Sequence, residues 1–115
     1  MNRRRHLRPH VERELEAGRA ARHRRDVAAA WLALERAHIL SQPSAWLHTR
    51  VHLAMLLMAL RTRDPRELAG QLLRLSVAAI GSWLRRYPIG NTGRARVPIN
   101  QPMPIPADLA PVLRG

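Results

Sequence analysis

DVAAAWLALERAHIL (Asp26–Leu40), SQPS (Ser41–Ser44) and AWLHTRVHLAMLLMALR (Ala45–Arg61) follow one another without interruption, and together they spell a helical hairpin. Asp26 suits an N-cap for a segment rich in alanine and leucine, both strong helix formers. Ser41-Gln42-Pro43-Ser44 breaks that helix, because proline lacks the N–H an interior position needs, and Ser44 can cap the next. Working outward, Asp64-Pro65-Arg66-Glu67 gives the clearest start signal of all: an N-cap, proline at the first helical position and glutamate three residues after the cap, as in a capping box. The fourth helix is expected to run to about Leu75, then either continue to Arg86 or bend near Ser76 and Gly81. On the other side, Pro9 suits a first helical position, with Glu12, Glu14 and Glu16 near the positive end of the helix dipole. Valine and isoleucine are scattered rather than alternating, so strands have little support.

The expected fold is therefore all-α, with four to five helices in antiparallel hairpins. Placing Asp26 at the turn of a tetratricopeptide-type helix pair puts Gly18, Ala30, Leu34 and Ala37 at small or apolar packing positions, and Arg61 to Leu75 looks like a second, weaker turn and helix. Tetratricopeptide-like stacking and an ordinary four-helix bundle both follow from short loops between amphipathic helices. The organisation reads as a basic N-terminal arm over residues 1–8, a helical hairpin domain over 9–86 and a proline-rich extension over 87–115. Six of the nine prolines fall at 88, 98, 102, 104, 106 and 111. Gly90-Asn91-Thr92-Gly93 reads as a tight turn, and Pro102-Met-Pro-Ile-Pro106 as extended chain. Val97, Ile99, Met103, Ile105 and Leu109 are too many apolar residues for an inert linker, so the extension is expected to pack in ordered form over the helices or against a partner.

The chain has 115 residues, 20 basic side chains that are all arginine, 8 acidic ones and a net charge of +12. It has no cysteine, which excludes disulfides, thiolate metal sites and cysteine nucleophiles. The longest apolar run, Leu53–Leu60, falls far short of the ~20 residues that cross a bilayer, and the basic N-terminus lacks the apolar stretch of a signal peptide. The expectation is a soluble, cytoplasmic protein with no membrane partner. Clusters at Arg3–Arg5, at Arg22 with Arg24 and Arg25, and at Arg61 with Arg63 and Arg66 are suited to phosphate contacts, but there is no recognisable DNA-reading element or stacking platform. Nonspecific nucleic-acid binding thus ranks third among the functional readings. Trp31 and Trp46 sit at helical core spacing.

Chemistry is concentrated around the central loop. Glu35 and His38 share a face of the second helix, and His48 and His52 share a face of the third. Facing positions across an antiparallel hairpin have a nearly constant sum of residue numbers, which 38 with 48 and 35 with 52 satisfy. Three imidazoles and a carboxylate form a nitrogen/oxygen donor set suited to one divalent ion of zinc, iron, manganese, cobalt or nickel. A second reading of the same residues is a structural polar network, with Glu35 paired to His52 or to an arginine. His6, His10 and His23, in basic surroundings, read as surface residues. The serines lack a nucleophile context, Asp26, Asp64 and Asp108 look like caps, and Glu12, Glu14 and Glu16 look solvated, so no catalytic group is assigned.

Glu35-Arg-Ala-His-Ile-Leu40, His48 and His52, Gly70-Gln71, Gly90-Asn-Thr-Gly93, and Pro102-Met-Pro-Ile-Pro106 followed by Asp108-Leu109 together resemble the bacterial domain-of-unknown-function family 3703, over roughly Val11 to Leu113. The resemblance implies that Glu35, His38, His48 and His52 belong to the family pattern and that the proline-rich extension is part of the domain; it names no activity and no metal. The chain departs from the pattern near Ser41 and Arg85, where glycine is usual, and at Pro98-Ile99, where serine-alanine is usual. The leading functional expectation is a metal-binding helical protein acting in sensing, storage or structure. The alternative is an interaction module that holds a protein or peptide partner on its helical surface or its tail.

Overall fold

Three of the four long helices begin where a side-chain oxygen meets a free backbone N–H. In the computed structural model, which describes residues 3–83, 90–95, 97 and 101–115, five helices and no strand occur among the described residues. They are α1 (Arg3–His23), α2 (Val27–Ser41), α3 (Ala45–Arg61), α4 (Pro65–Trp83) and α5 (Ala110–Arg114). Asp26 accepts from the Ala29 N–H at 3.0 Å, Ser44 from Leu47 at 3.4 Å and Asp64 from Glu67 at 3.1 Å, as the sequence predicts. Glu67 does not complete a capping box. Its carboxylate is 1% exposed and turns inward. Nor is Asp108 a cap: it pairs with Arg36.

Contrary to expectation, α1 takes in the basic arm and carries Pro9 in its interior. Pro9 removes one backbone hydrogen bond, but the turns before it have their own anchors. Leu7 is buried, and the His6 Nε2–H donates to the Val112 carbonyl at 3.1 Å.

The two hairpins, α1–α2 and α3–α4, are closed by the same turn. In the first, the N–H groups of Arg25 and Asp26 reach the carbonyls of Arg22 and Ala21; in the second, those of Arg63 and Asp64 reach Leu60 and Ala59. Arg25 (φ 61°) and Arg63 (φ 53°) both hold the left-handed conformation that glycine adopts most easily. Arg25→Gly and Arg63→Gly are each expected to raise stability by about 0.5–1 kcal/mol, the relief of backbone strain outweighing glycine's unfolded-state entropy. Urea unfolding midpoints check this.

Between the hairpins runs one core: Val11 and Leu15 from α1, Trp31, Leu34 and Leu40 from α2, Leu47, Val51 and Met55 from α3. Gly18 faces α2 at ordinary packing distance, a Cβ there standing 3.6 Å from the Ala33 methyl, so the approach of α1 to α2 does not require glycine. Trp46 is not a core residue. It is 60% exposed, with the Arg4 guanidinium 5.1 Å from its ring.

The described part of the extension packs on the helices. Leu109 is buried in the core, with Ile105, Val112 and Leu113 against it. Arg36 ties three segments together by pairing with Glu14 of α1 and Asp108 of the extension. Glu12 likewise pairs with Arg50 of α3, so two of the three N-terminal glutamates are cross-links rather than solvated charges. The boundary drawn at residues 86/87, together with Tyr87, Pro88, Pro98 and Ile99, lies outside the described residues. Among the described residues, no helix is long and apolar enough to cross a membrane.

Candidate metal centre

His38 comes from the last turn of α2, and His48 and His52 from successive turns of α3 across the short 42–44 connection. Hairpin geometry thus delivers two facing stripes, and all three imidazoles are buried, with 3%, 6% and 2% exposure respectively. Their rings lie 4.6–4.9 Å apart. The Nε2 atom of His38 stands 3.0 Å from Nε2 of His48 and 3.0 Å from Nε2 of His52. The three side chains can offer one ligand atom each with all of these within 4.8 Å of one another.

What surrounds the rings fixes where their protons sit. His38 Nδ1 is 2.6 Å from the Asn91 carbonyl, an obligate acceptor, so Nδ1 carries the hydrogen and Nε2 is bare. His52 Nδ1 is 2.8 Å from Gln71 Oε1. The Gln71 amide cannot be reversed, because its Nε2 already donates to Glu67 at 3.2 Å and to the Gly93 carbonyl at 2.8 Å. His52 Nδ1 therefore donates, and its Nε2 is bare as well. Two nitrogen lone pairs consequently face each other at 3.0 Å with no proton between them in the neutral rings. Two nitrogens of a tetrahedral zinc shell, each about 2.0–2.1 Å from the ion, stand about 3.3 Å apart.

Burial holds the His38 and His52 rings neutral. Desolvation pushes His38 well below the ordinary imidazole value, with His48 and His52 adding repulsion and the Asn91 carbonyl opposing. Desolvation lowers His52 to about 4, partly offset by its bond to Gln71. A neutral imidazole is the form that ligates a metal.

Glu35 does not join the three histidines. Its carboxylate pairs with Arg94 at 3.3 Å, and burial raises its pKa against the pull of that guanidinium. The expected Glu35–His52 facing pair is absent because Arg94, arriving from the extension, holds Glu35 instead. Arg94 also pairs with Glu67 and lies over the Trp31 ring at 4.0 Å. Of the four predicted residues, the structure brings together His38, His48 and His52.

Residues that the sequence did not assign to the site build its outer layer. Gln71 of α4 and Asn91 of the extension orient two of the rings, and Glu67 orients Gln71. Asn91 is itself fixed, its Oδ1 accepting from the Gly93 N–H at 2.9 Å and its Nδ2 donating to the Gln101 carbonyl at 2.7 Å. Gly93, at φ +82°, lies flat on the His38 imidazole, where a Cβ would come within 2.6 Å of the ring. The Gly90-Asn91-Thr92-Gly93 turn is thus the lid over His38. Its glycine spacing identifies a turn, while its contact with His38 comes from packing across 53 residues of chain.

The chain belongs to a family described as proteins of unknown function (DUF3703), whose model matches residues 5–113. No curated protein and no solved structure matches it.

Proposed function

We propose that this family member binds one divalent transition-metal ion through Nε2 of His38, His48 and His52, and uses it to fasten the 90–95 segment to the α2–α3 hairpin. The observation that carries the reading is the pair of unprotonated Nε2 atoms at 3.0 Å, each made so by a donor bond on the opposite side of its ring. Histidine ligands are regularly oriented in this way by a carbonyl, amide or carboxylate behind them. Without Glu35 the donors are all imidazole, a set that favours zinc, iron, cobalt or nickel over the harder manganese. Burial of all three ligands suits a held ion, in structural support or sensing, better than one exposed to substrate.

The test is titration of untagged, chelator-treated protein with cobalt(II) and zinc. A single equivalent of cobalt should produce the visible bands of a low-symmetry four-coordinate ion, and zinc should displace it. Zinc at a hundred times its dissociation constant should add about 2.7 kcal/mol of stability. His38→Ala with His52→Ala should abolish both effects. Failure of either metal to saturate at one equivalent, or an undiminished response in the double variant, overturns the reading. Glu35→Gln separates three histidines from the four-ligand set: metal stoichiometry should be unchanged and affinity should fall by less than about tenfold, the lower edge of effects seen for residues behind a ligand. Isothermal titration of the two proteins side by side measures it.

A further inference from the structure

A second feature, independent of the histidines, lies on the opposite end of the core. Between α1 and α3, over a floor provided by α2, runs a groove of about 240 Å³. Leu15, Ala30, Leu34, Ala54, Leu57 and Met58 make it apolar. Its apolar character continues along α3, where Leu53, Leu57 and Leu60 share one stripe at 46%, 43% and 58% exposure. Three guanidiniums, from Arg19, Arg22 and Arg61, line the rim. Arg19 is occupied by Glu16, whereas Arg22 and Arg61 pair with no carboxylate among the described residues. Every acidic residue of the chain is already engaged as a helix cap or in an ion pair with an arginine.

We infer that this groove docks an acidic amphipathic helix of another protein, with its apolar face against Leu57 and the floor and its carboxylates on Arg22 and Arg61. The recess lies between two helices running in the same direction, the shape into which a further helix packs by its i, i+3, i+4 and i+7 side chains. A second copy of this chain is a poor occupant, since the same face would bring two arginine rims together within a molecule of net charge +12.

The probe is a synthetic helical peptide of about 18 residues with leucine on one face and glutamate on the other, long enough to span the groove. Its binding to the whole protein is followed by fluorescence anisotropy at about 0.15 M salt, where only contacts within about 8 Å escape screening. Saturable binding is expected, weakened at least tenfold by Arg22→Glu with Arg61→Glu and at least tenfold by Leu57→Asp. Arg13→Glu with Arg24→Glu removes the same charge away from the groove and should change affinity by less than threefold. Circular dichroism confirms that each variant is folded. Equal weakening in the charge-matched control overturns the inference, as does equal binding of a lysine-faced peptide or of a glutamate peptide whose leucines are serines. So does binding to anionic vesicles that survives Leu57→Asp, or a dimer in light scattering that Leu57→Asp dissolves. None of these outcomes bears on the metal titration, and loss of metal binding leaves the peptide result untouched.

Discussion

Glu67→Ala is expected to cost about 3–5 kcal/mol of stability in metal-free protein, the range for breaking a buried ion pair by removing one partner. The Glu67 carboxylate is 1% exposed and accepts from three donors: Arg94 Nε, the Ala95 N–H shared between its two oxygens at 3.2 Å and 3.3 Å, and Gln71 Nε2 at 3.2 Å. Alanine leaves Arg94, whose side chain is only 19% exposed, with Glu35 as its remaining counter-charge. It also leaves the part-buried Ala95 N–H and one hydrogen of the buried Gln71 amide without these acceptors, and a fully buried orphan donor costs about 1–3 kcal/mol. Glu67→Gln keeps one acceptor oxygen but aims an amide NH2 at other donors, so it should fall between wild type and alanine. The consequence reaches the histidines. Once Gln71 loses Glu67 its amide is held only by Gly93, and His52 loses its fixed partner, so zinc affinity should drop about 10–100-fold. Urea unfolding in chelator gives the first quantity and zinc competition titration the second. A stability loss under about 1 kcal/mol would mean that the part-buried Arg94 and Ala95 donors find water in place of the carboxylate, and would overturn the prediction.

Glu67 stands at a helix-start position but serves a tertiary role, and the physical difference lies in the range of the interactions. Helix starts and stops are local events, decided within four residues by a cap oxygen, a proline or an orphan N–H. Asp26, Ser44 and Asp64 were therefore legible, and with them the four long helices, the hairpins and the all-α class. The histidine trio was legible for a related reason: a three-residue connection leaves α2 and α3 only one way to face each other. Glu67 obeyed the same local grammar, three residues after a cap and before an apolar run, yet its carboxylate is captured by Arg94, 27 positions away. Nothing within the helix start distinguishes the two fates. Glu35 is held by the same arginine, the pairing that the structural-network reading allows, and its choice between Arg94 and His52 is likewise not written in the local sequence. Trp46 and Pro9 stand elsewhere than expected because their surroundings depend on what covers α3 and on α5 returning to α1, both questions of tertiary packing. The turn at Gly90–Gly93 stands between these cases. Its backbone demand for glycine is visible in the sequence, but the ring pressed against Gly93 is not.

Acid is expected to unfold the metal-free domain in a window set by the histidines rather than by its carboxylates. The folded-state pKa of His52, about 4, lies below the ordinary 6.5. Between those values the unfolded chain takes up a proton that the folded chain refuses, so stability rises with pH across the window. The full contribution is present above about 6.5 and is lost as pH falls to about 4. At about 1.4 kcal/mol per pH unit, His52 alone removes about 3 kcal/mol, a substantial part of the 5–15 kcal/mol typical of a small domain. His38 acts in the same direction, its burial and its two imidazole neighbours opposing a charge. Glu35 acts oppositely, because its raised pKa means that acid relieves an unfavourable buried charge. Glu12 and Asp108, both lowered by arginine partners, lose their contribution only below the ordinary carboxylate range. Urea midpoints in chelator between pH 8 and 4.5 should therefore fall steeply below 6.5, and His52→Asn, which cannot take up a proton, should flatten the slope. With zinc present the decline should be steeper, because protons then also compete with the ion for the same nitrogens. A midpoint that stays level from pH 7 to 5 in chelator would show that the three rings accept charge without opening, and would remove the physical basis for reading them as neutral ligands.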